Sequence, residues 1–221
     1  MRRKLSVCIL AIVAVLVCVK AWAEAPVLFK DLRYGMSVEE VKMTTGAIAT
    51  DQKRMLFDVS VPFASYEWMA FYFFDKDKLY KVILAGSGNF ELRLAALVDT
   101  IIRGKFDLIL LEGKSESIDI IAERKTTKKT ELKEKIVEFI PTNFSNGYVS
   151  AIFVTRLLSF TATSALTVLS GAPKDTRVIT IEYDSSVPYT RITFALPLMD
   201  EQSSIQQQQR KPAENFLLAN K

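Results

Sequence analysis

No histidine occurs anywhere in the chain, and its two cysteines, Cys8 and Cys18, both lie near the start. The first absence removes the Ser-His and Cys-His nucleophile pairs, the usual general base near neutral pH and the commonest zinc ligand. The second leaves everything after residue 18 without a thiol or a disulfide. S-x-x-K spacing is missing too, so a lysine-activated serine has no motif to rest on. An excess of charge of one sign is also missing beyond the leading segment. Arg2, Arg3, Lys4 and Lys20 precede Glu24 and no acid does, so the 29 basic residues fall to 25 beyond that point, against 25 acids. The high pI therefore belongs to the leading segment, and the inference from basic charge to nucleic acid loses its support.

That segment reads as a cleavable secretion signal. Arg2-Arg3-Lys4 gives a basic start, Val7 to Val19 an apolar run, and Ala21-Trp22-Ala23 the small-x-small pattern of a cleavage site. The run is shorter than the ~20 residues that span a bilayer. The expected product starts at Glu24, is periplasmic or secreted, and has no transmembrane segment. Lipidation at Cys18 is disfavoured by the branched Val17 before it.

The expected organisation is a signal peptide at 1–23, one α+β domain at 24–200 divisible into halves 24–86 and 87–200, and a flexible Gln-rich tail at 201–221. In the first half, Ser37-Val38-Glu39-Glu40 has the form of a capping box, predicting a helix from Val38 to about Thr45 that stops at Gly46. Tyr66 to Phe74 is dense in aromatics and apolar on both faces. A polar turn, Asp75-Lys76-Asp77-Lys78, and Leu79 to Leu84 follow, which predicts a central strand and its hairpin partner.

Gly35-Met36-Ser37, Val41 and Gly46, followed by Phe73-Phe74-Asp75 and Leu79, resemble the opening of small exported helix-on-sheet modules. Those modules include the small lipoprotein subunit of the outer-membrane β-barrel assembly machine and the β-lactamase-inhibitor-like fold. The resemblance covers residues 29–86. It implies a helix packed on an antiparallel sheet and a place in the cell envelope. The chain departs from the pattern at Thr45, at Ala47-Ile48 and in lacking the lipid-bearing cysteine.

In the second half, Phe90, Leu94, Leu97, Val98, Ile101 and Ile102 recur at helical spacing after Asn89, a good N-cap, and before Gly104. Phe106–Leu111 and Ile118–Ile121 are apolar patches of open type. Glu123 to Lys135 holds six basic residues and three glutamates and reads as a solvated loop and strand start, with contact to anionic lipid heads or a polyanion as the functional alternative. Ile136–Ile140, Tyr148–Leu158, Phe160–Leu169, Arg177–Tyr183 and Tyr189–Leu196 read as strands. Arg156 and seven serines and threonines in Tyr148–Leu169 argue against a membrane span. Ala213 to Lys221 could add a short helix.

The expected fold class is α+β, an antiparallel sheet with two or three helices packed on one face. Tyr66, Trp68 and Tyr72 are the candidate ligand or partner surface, and a core strand would carry the same residues. Asp75-x-Asp77 has too few oxygen ligands and no bend glycine for calcium. Ser164, Ser170 and Lys174 make a serine-lysine pair only if the fold is chosen to suit. No catalytic residue, metal site or cofactor is expected. The expected function is non-enzymatic binding of an envelope protein or small ligand, through the sheet face or the groove beside the Ser37 helix. The alternatives are an envelope or outer-membrane assembly accessory factor and, more distantly, a carboxylate-dependent hydrolase.

Overall fold

A computed structural model of the chain describes residues 25–50, 54–87, 90–155, 162–173 and 175–197. The expected signal peptide at 1–23, the expected tail at 201–221, residues 156–161 of the expected strands, Asn89 and Lys174 lie outside the described residues.

The chain enters through a two-stranded hairpin, β1 (Val27–Phe29) and β2 (Leu32–Arg33), and continues into helix α1 (Val38–Thr45). Ser37 starts α1 as expected: its backbone N–H donates to Glu40 Oε2 at 2.7 Å, and the Glu40 N–H donates to Ser37 Oγ at 3.3 Å. The helix stops at Gly46, whose φ of 76° only glycine adopts without strain. The short strand β3 (Ile48–Ala49) leads into three long antiparallel strands, β4 (Met55–Phe63), β5 (Tyr66–Asp75) and β6 (Lys78–Gly86). Lys76 and Asp77 both have positive φ at the β5–β6 turn, as a tight two-residue hairpin requires. Beside that turn Gly35 N–H donates to Leu79 O and Leu79 N–H to Met36 O, each at 2.8 Å. The Gly-Met-Ser segment is thus stitched to the hairpin, which gives a physical reason for the two motifs to occur together.

Helix α2 (Phe90–Arg103) crosses to β7 (Phe106–Gly113), β8 (Ser117–Asp119), α3 (Ile120–Thr126) and α4 (Lys129–Ser145). Then come β9 (Tyr148–Thr155), α5 (Ala165–Gly171), β10 (Val178–Asp184) and β11 (Val187–Ala195). One nine-stranded sheet in the order β3-β4-β5-β6-β11-β10-β9-β7-β8 contains all strands after β2, and every pairing is antiparallel. Its middle is the β6–β11 pair. From there outward the order reads β5-β4 on one side and β10-β9 on the other, and a helix precedes each three-strand set, α1 before β4 and α4 before β9.

The expected fold class needs correcting. Five helices, not two or three, are found among the described residues, and they lie on both faces of a sheet that dominates the molecule. Val41 of α1, Leu94, Leu97 and Ile101 of α2, and Leu132 and Phe139 of α4 share the main core with Trp68, Leu84, Phe153 and Ile192. On the opposite face Ala165, Val168 and Leu169 of α5 form a second core with Ile152, Val154 and Val178. Strand β9 alternates between the two, Val149, Ala151 and Phe153 facing one and Ile152 and Val154 the other. A bulge in β7 between Leu108 and Leu110 turns both Ile109 and Leu110 toward the second core.

Two stretches read as strands are helical. Ile136–Ile140 lies within α4, where Leu132, Ile136, Phe139 and Asn143 follow helical spacing, and Pro141 sits inside the helix as a misleading breaker. The loop expected at Glu123–Lys135 is largely α3 and the start of α4. Ala165–Leu169 belongs to α5, because Ser164 Oγ accepts from Thr167 N–H and Asp119 Oδ2 accepts from Ala165 N–H at 2.8 Å.

Candidate functional site

Trp68 and Tyr72 point toward the helix-covered face of β5 and are each only 1% exposed, while Tyr66 is partly buried against the same core. Trp68 Nε1 donates to Phe63 O at 2.9 Å, which satisfies its polar atom inside the core. Trp68 and Tyr72 are therefore core side chains, and Tyr66 lies at the edge of that core. Tyr72 has a second aspect, because it lines a cleft of about 240 Å³ together with Thr44 and Thr45 of α1, Lys30 and Asp31 of the β1–β2 turn, and Asp58 and Ser60 of β4. This is the groove beside the Ser37 helix. A bulge in β4 between Asp58 and Val61 shapes its wall, and Asp58 Oδ1 accepts from Ser60 N–H at 3.1 Å to hold the bend. Burial, and then the Asp58 charge, push the Tyr72 phenol up to about 12, while a hydrogen bond with Thr45 acts the other way. At neutral pH that phenol is a hydrogen-bonding group and not a base.

A second hollow was not visible in the sequence. It lies between α2, α4 and the sheet, encloses about 220 Å³, and is lined by apolar residues throughout. Leu94, Val98 and Ile102 come from α2, Ile136 and Ile140 from α4, and Leu111, Ala151 and Ile181 from neighbouring strands. The space has a local cause. Leu111, Ala151 and Ile181 are register partners across β7, β9 and β10, and the alanine at the centre of that row is too small to reach the helices. Ile102, 57% exposed, stands at the rim. The signal that could have found this site is the helical spacing of Leu132, Ile136 and Ile140, which was obscured by reading that stretch as loop and strand.

The outer face of the sheet, away from α1, α2 and α4, carries two contrasting regions. Ile48, Phe57, Phe71, Ile83 and Thr193 form one register row across five strands, and none of these five side chains is buried. The Phe57 and Phe71 rings lie 5.1 Å apart, and the Lys81 ammonium sits 5.1 Å from the Phe73 ring. Farther along, Glu112, Ser150, Glu182 and Arg191 form a polar row, with Glu182 Oε1 accepting from Arg191 at 2.8 Å. Burial, reinforced by the Glu182 charge, raises the Glu112 carboxyl above its ordinary value. The two carboxylates are separated by the whole of β9, about 10 Å between backbones.

The remaining sequence candidates are structural. Asp75 and Asp77 are exposed at the β5–β6 hairpin, and no cluster of three or more His, Cys, Asp or Glu that could hold a metal occurs among the described residues. Ser164 Oγ caps α5, and Ser170 Oγ donates to Thr167 O at 3.4 Å. No helix among the described residues is long and apolar enough to cross a membrane. Comparison with family models, with curated proteins and with solved structures found no match in any of the three.

Proposed function

We propose that this chain is an exported, non-enzymatic protein of the cell envelope, periplasmic or secreted, that binds an apolar ligand in the hollow between α2 and α4. The observation that carries the reading is the hollow itself, about 220 Å³ bounded by aliphatic and aromatic side chains. An apolar space of ~150 Å³ already admits benzene. Ligand pockets are typically apolar, with their polar groups at the edge. The secretion signal supports the address, and the lack of histidine and of thiols beyond residue 18 supports a role without nucleophilic catalysis.

The test is titration of the purified protein with a neutral fluorescent apolar probe, N-phenyl-1-naphthylamine, alongside an Ala151→Leu variant that fills the hollow. Saturable binding by the parent and its loss in a folded variant support the reading. Equal binding by both, or none by the parent, contradicts it.

A second reading is an envelope or outer-membrane assembly accessory factor, in keeping with the resemblance of residues 29–86 to small exported modules. The row Ile48-Phe57-Phe71-Ile83 favours it, because a half-exposed apolar sheet face is a surface on which a partner can be received. On that reading the protein copurifies with outer-membrane material and Phe71→Glu releases it. A carboxylate-dependent hydrolase has less support, since Glu182 is tied to Arg191.

A further inference from the structure

One end of the hollow lies where α2 finishes and α4 begins. Helix α2 reaches β7 through the tight turn Gly104-Lys105, so its C-terminus lies over the Phe106 end of that strand. Helix α4 reaches β9 through Asn146-Gly147, which places its C-terminus over the Tyr148 end. Phe106 pairs with Thr155, at the far end of β9 from Tyr148. With 17 residues, α4 spans about 25 Å, as long as β9, so its N-terminus returns to the Phe106 end. The two helices are therefore antiparallel, and the end of α2 meets the start of α4.

Basic residues gather there. On α4, Lys133 and Lys129 continue the stripe of Ile140 and Ile136 toward the N-terminus, one and two turns beyond Ile136, about 5 and 10 Å along the axis. Lys105 adds a third exposed cation from the end of α2. None of these three has an ion-pair partner among the described residues. The nearby acids are differently placed. Asp99 is held by Arg103 at 2.9 Å, Glu123 and Glu131 by Lys135 at 3.1 and 4.0 Å, and Glu134 lies on the side of α4 away from Ile136. Asp107 belongs to the outer face, beside Val154. Lys128, the N-cap of α4, makes no side-chain cap hydrogen bond, so the first amides of that helix add positive potential beside Lys129, and Glu131, the acid of the same turn, pairs with Lys135.

We infer that the ligand is an anionic single-chain amphiphile, a free fatty acid, with its tail in the hollow between α2 and α4 and its carboxylate at Lys129, Lys133 and the start of α4. The inference rests on the proposed apolar-ligand reading and adds the headgroup. The hollow takes one hydrocarbon chain, and the cations select the charge at its end.

Calorimetric titration of the purified protein with decanoate, decanol and decyltrimethylammonium, at low salt and below their micelle concentrations, is the test. Decanoate is expected to bind about fivefold more tightly than decanol, and the cation more weakly than either. In Lys129→Glu/Lys133→Glu the decanoate preference disappears while decanol affinity stays. Equal affinity for decanoate and decanol overturns the headgroup assignment and leaves the apolar site standing, whereas failure of all three to bind overturns both. Flotation with phosphatidylglycerol vesicles in the absence of decanoate binding would also overturn the inference, by making the lysines a membrane contact. Circular dichroism of the double variant, whose two changes are both exposed, excludes unfolding as the cause of a loss.

Discussion

Two residues on opposite sides of β7 show how much the packing depends on single side chains. Asn143 of α4 is fully buried and donates to Glu116 Oε1 at 2.8 Å and Phe139 O at 3.0 Å, and a Cβ placed at Gly113 would overlap its amide. The glycine is there to let α4 approach the sheet. Gly113→Ala should therefore cost about 1 to 3 kcal/mol, the usual range for overpacking, read by urea melts. A melt shifted by less than about 0.5 kcal/mol would mean that α4 can move aside. On the outer face, Glu112 binds its proton more tightly folded than unfolded, because burial and the Glu182 charge both oppose ionisation. Its contribution to stability is then fullest below the ordinary carboxylate pKa and is lost as pH rises through the higher folded value. Melts at pH 4 and pH 7 should show Glu112→Gln gaining stability over the parent at pH 7 and little or none at pH 4. The opposite sign would place Glu112 among favourable partners.

At the scale of elements, β5 sorts its aromatics by face, and the sorting predicts unequal costs. Trp68→Ala removes a side chain packed on all sides and should cost about 3 to 5 kcal/mol. Phe71→Ala removes a half-exposed ring whose main ring contact is Phe57 at 5.1 Å, and should cost about 1 kcal/mol. Comparable losses from both would show that the outer face is covered in solution. The same strand shows what the sequence makes legible. Strong local signals carried through: the capping box and Gly46 bound α1, and the period of Phe90 to Ile102 marks α2. Alternation around Ile179 and Ile181 marks β10. What alternation could not tell is which face of β5 is covered, since both carry large apolar residues and only the packing of α1 and α2 decides it. Helices α4 and α5 were lost for other reasons. Pro141 and a run of charges disguised the first, and the stretch holding the second is rich in β-branched residues whose helical start depends on Asp119, 46 residues away. The hollow was lost with α4, because half its helical wall was assigned to other structure.

Across the whole molecule, one continuous sheet ties the first half of the chain to the second through the β6–β11 pair, and the two ends differ in what covers them. Strands β7, β9 and β10 are covered on both faces at the α5 end, while β4, β5 and β6 leave Phe57, Phe71 and Ile83 half open. The molecule therefore carries two apolar surfaces, and the more enclosed one is the proposed ligand site. Burial on three sides is the physical reason: a ligand there loses more water contact than on an open sheet. The two surfaces carry different isoleucines, Ile102, Ile136 and Ile140 at the hollow and Ile48 and Ile83 on the outer face. The most direct measurement is a methyl-detected NMR titration of isoleucine-labelled protein with decanol, a ligand without charge. The account predicts saturable shifts at Ile102, Ile136 and Ile140, with Ile48 and Ile83 unmoved. Shifts confined to Ile48 and Ile83, or none at any concentration below decanol's solubility limit, would contradict it.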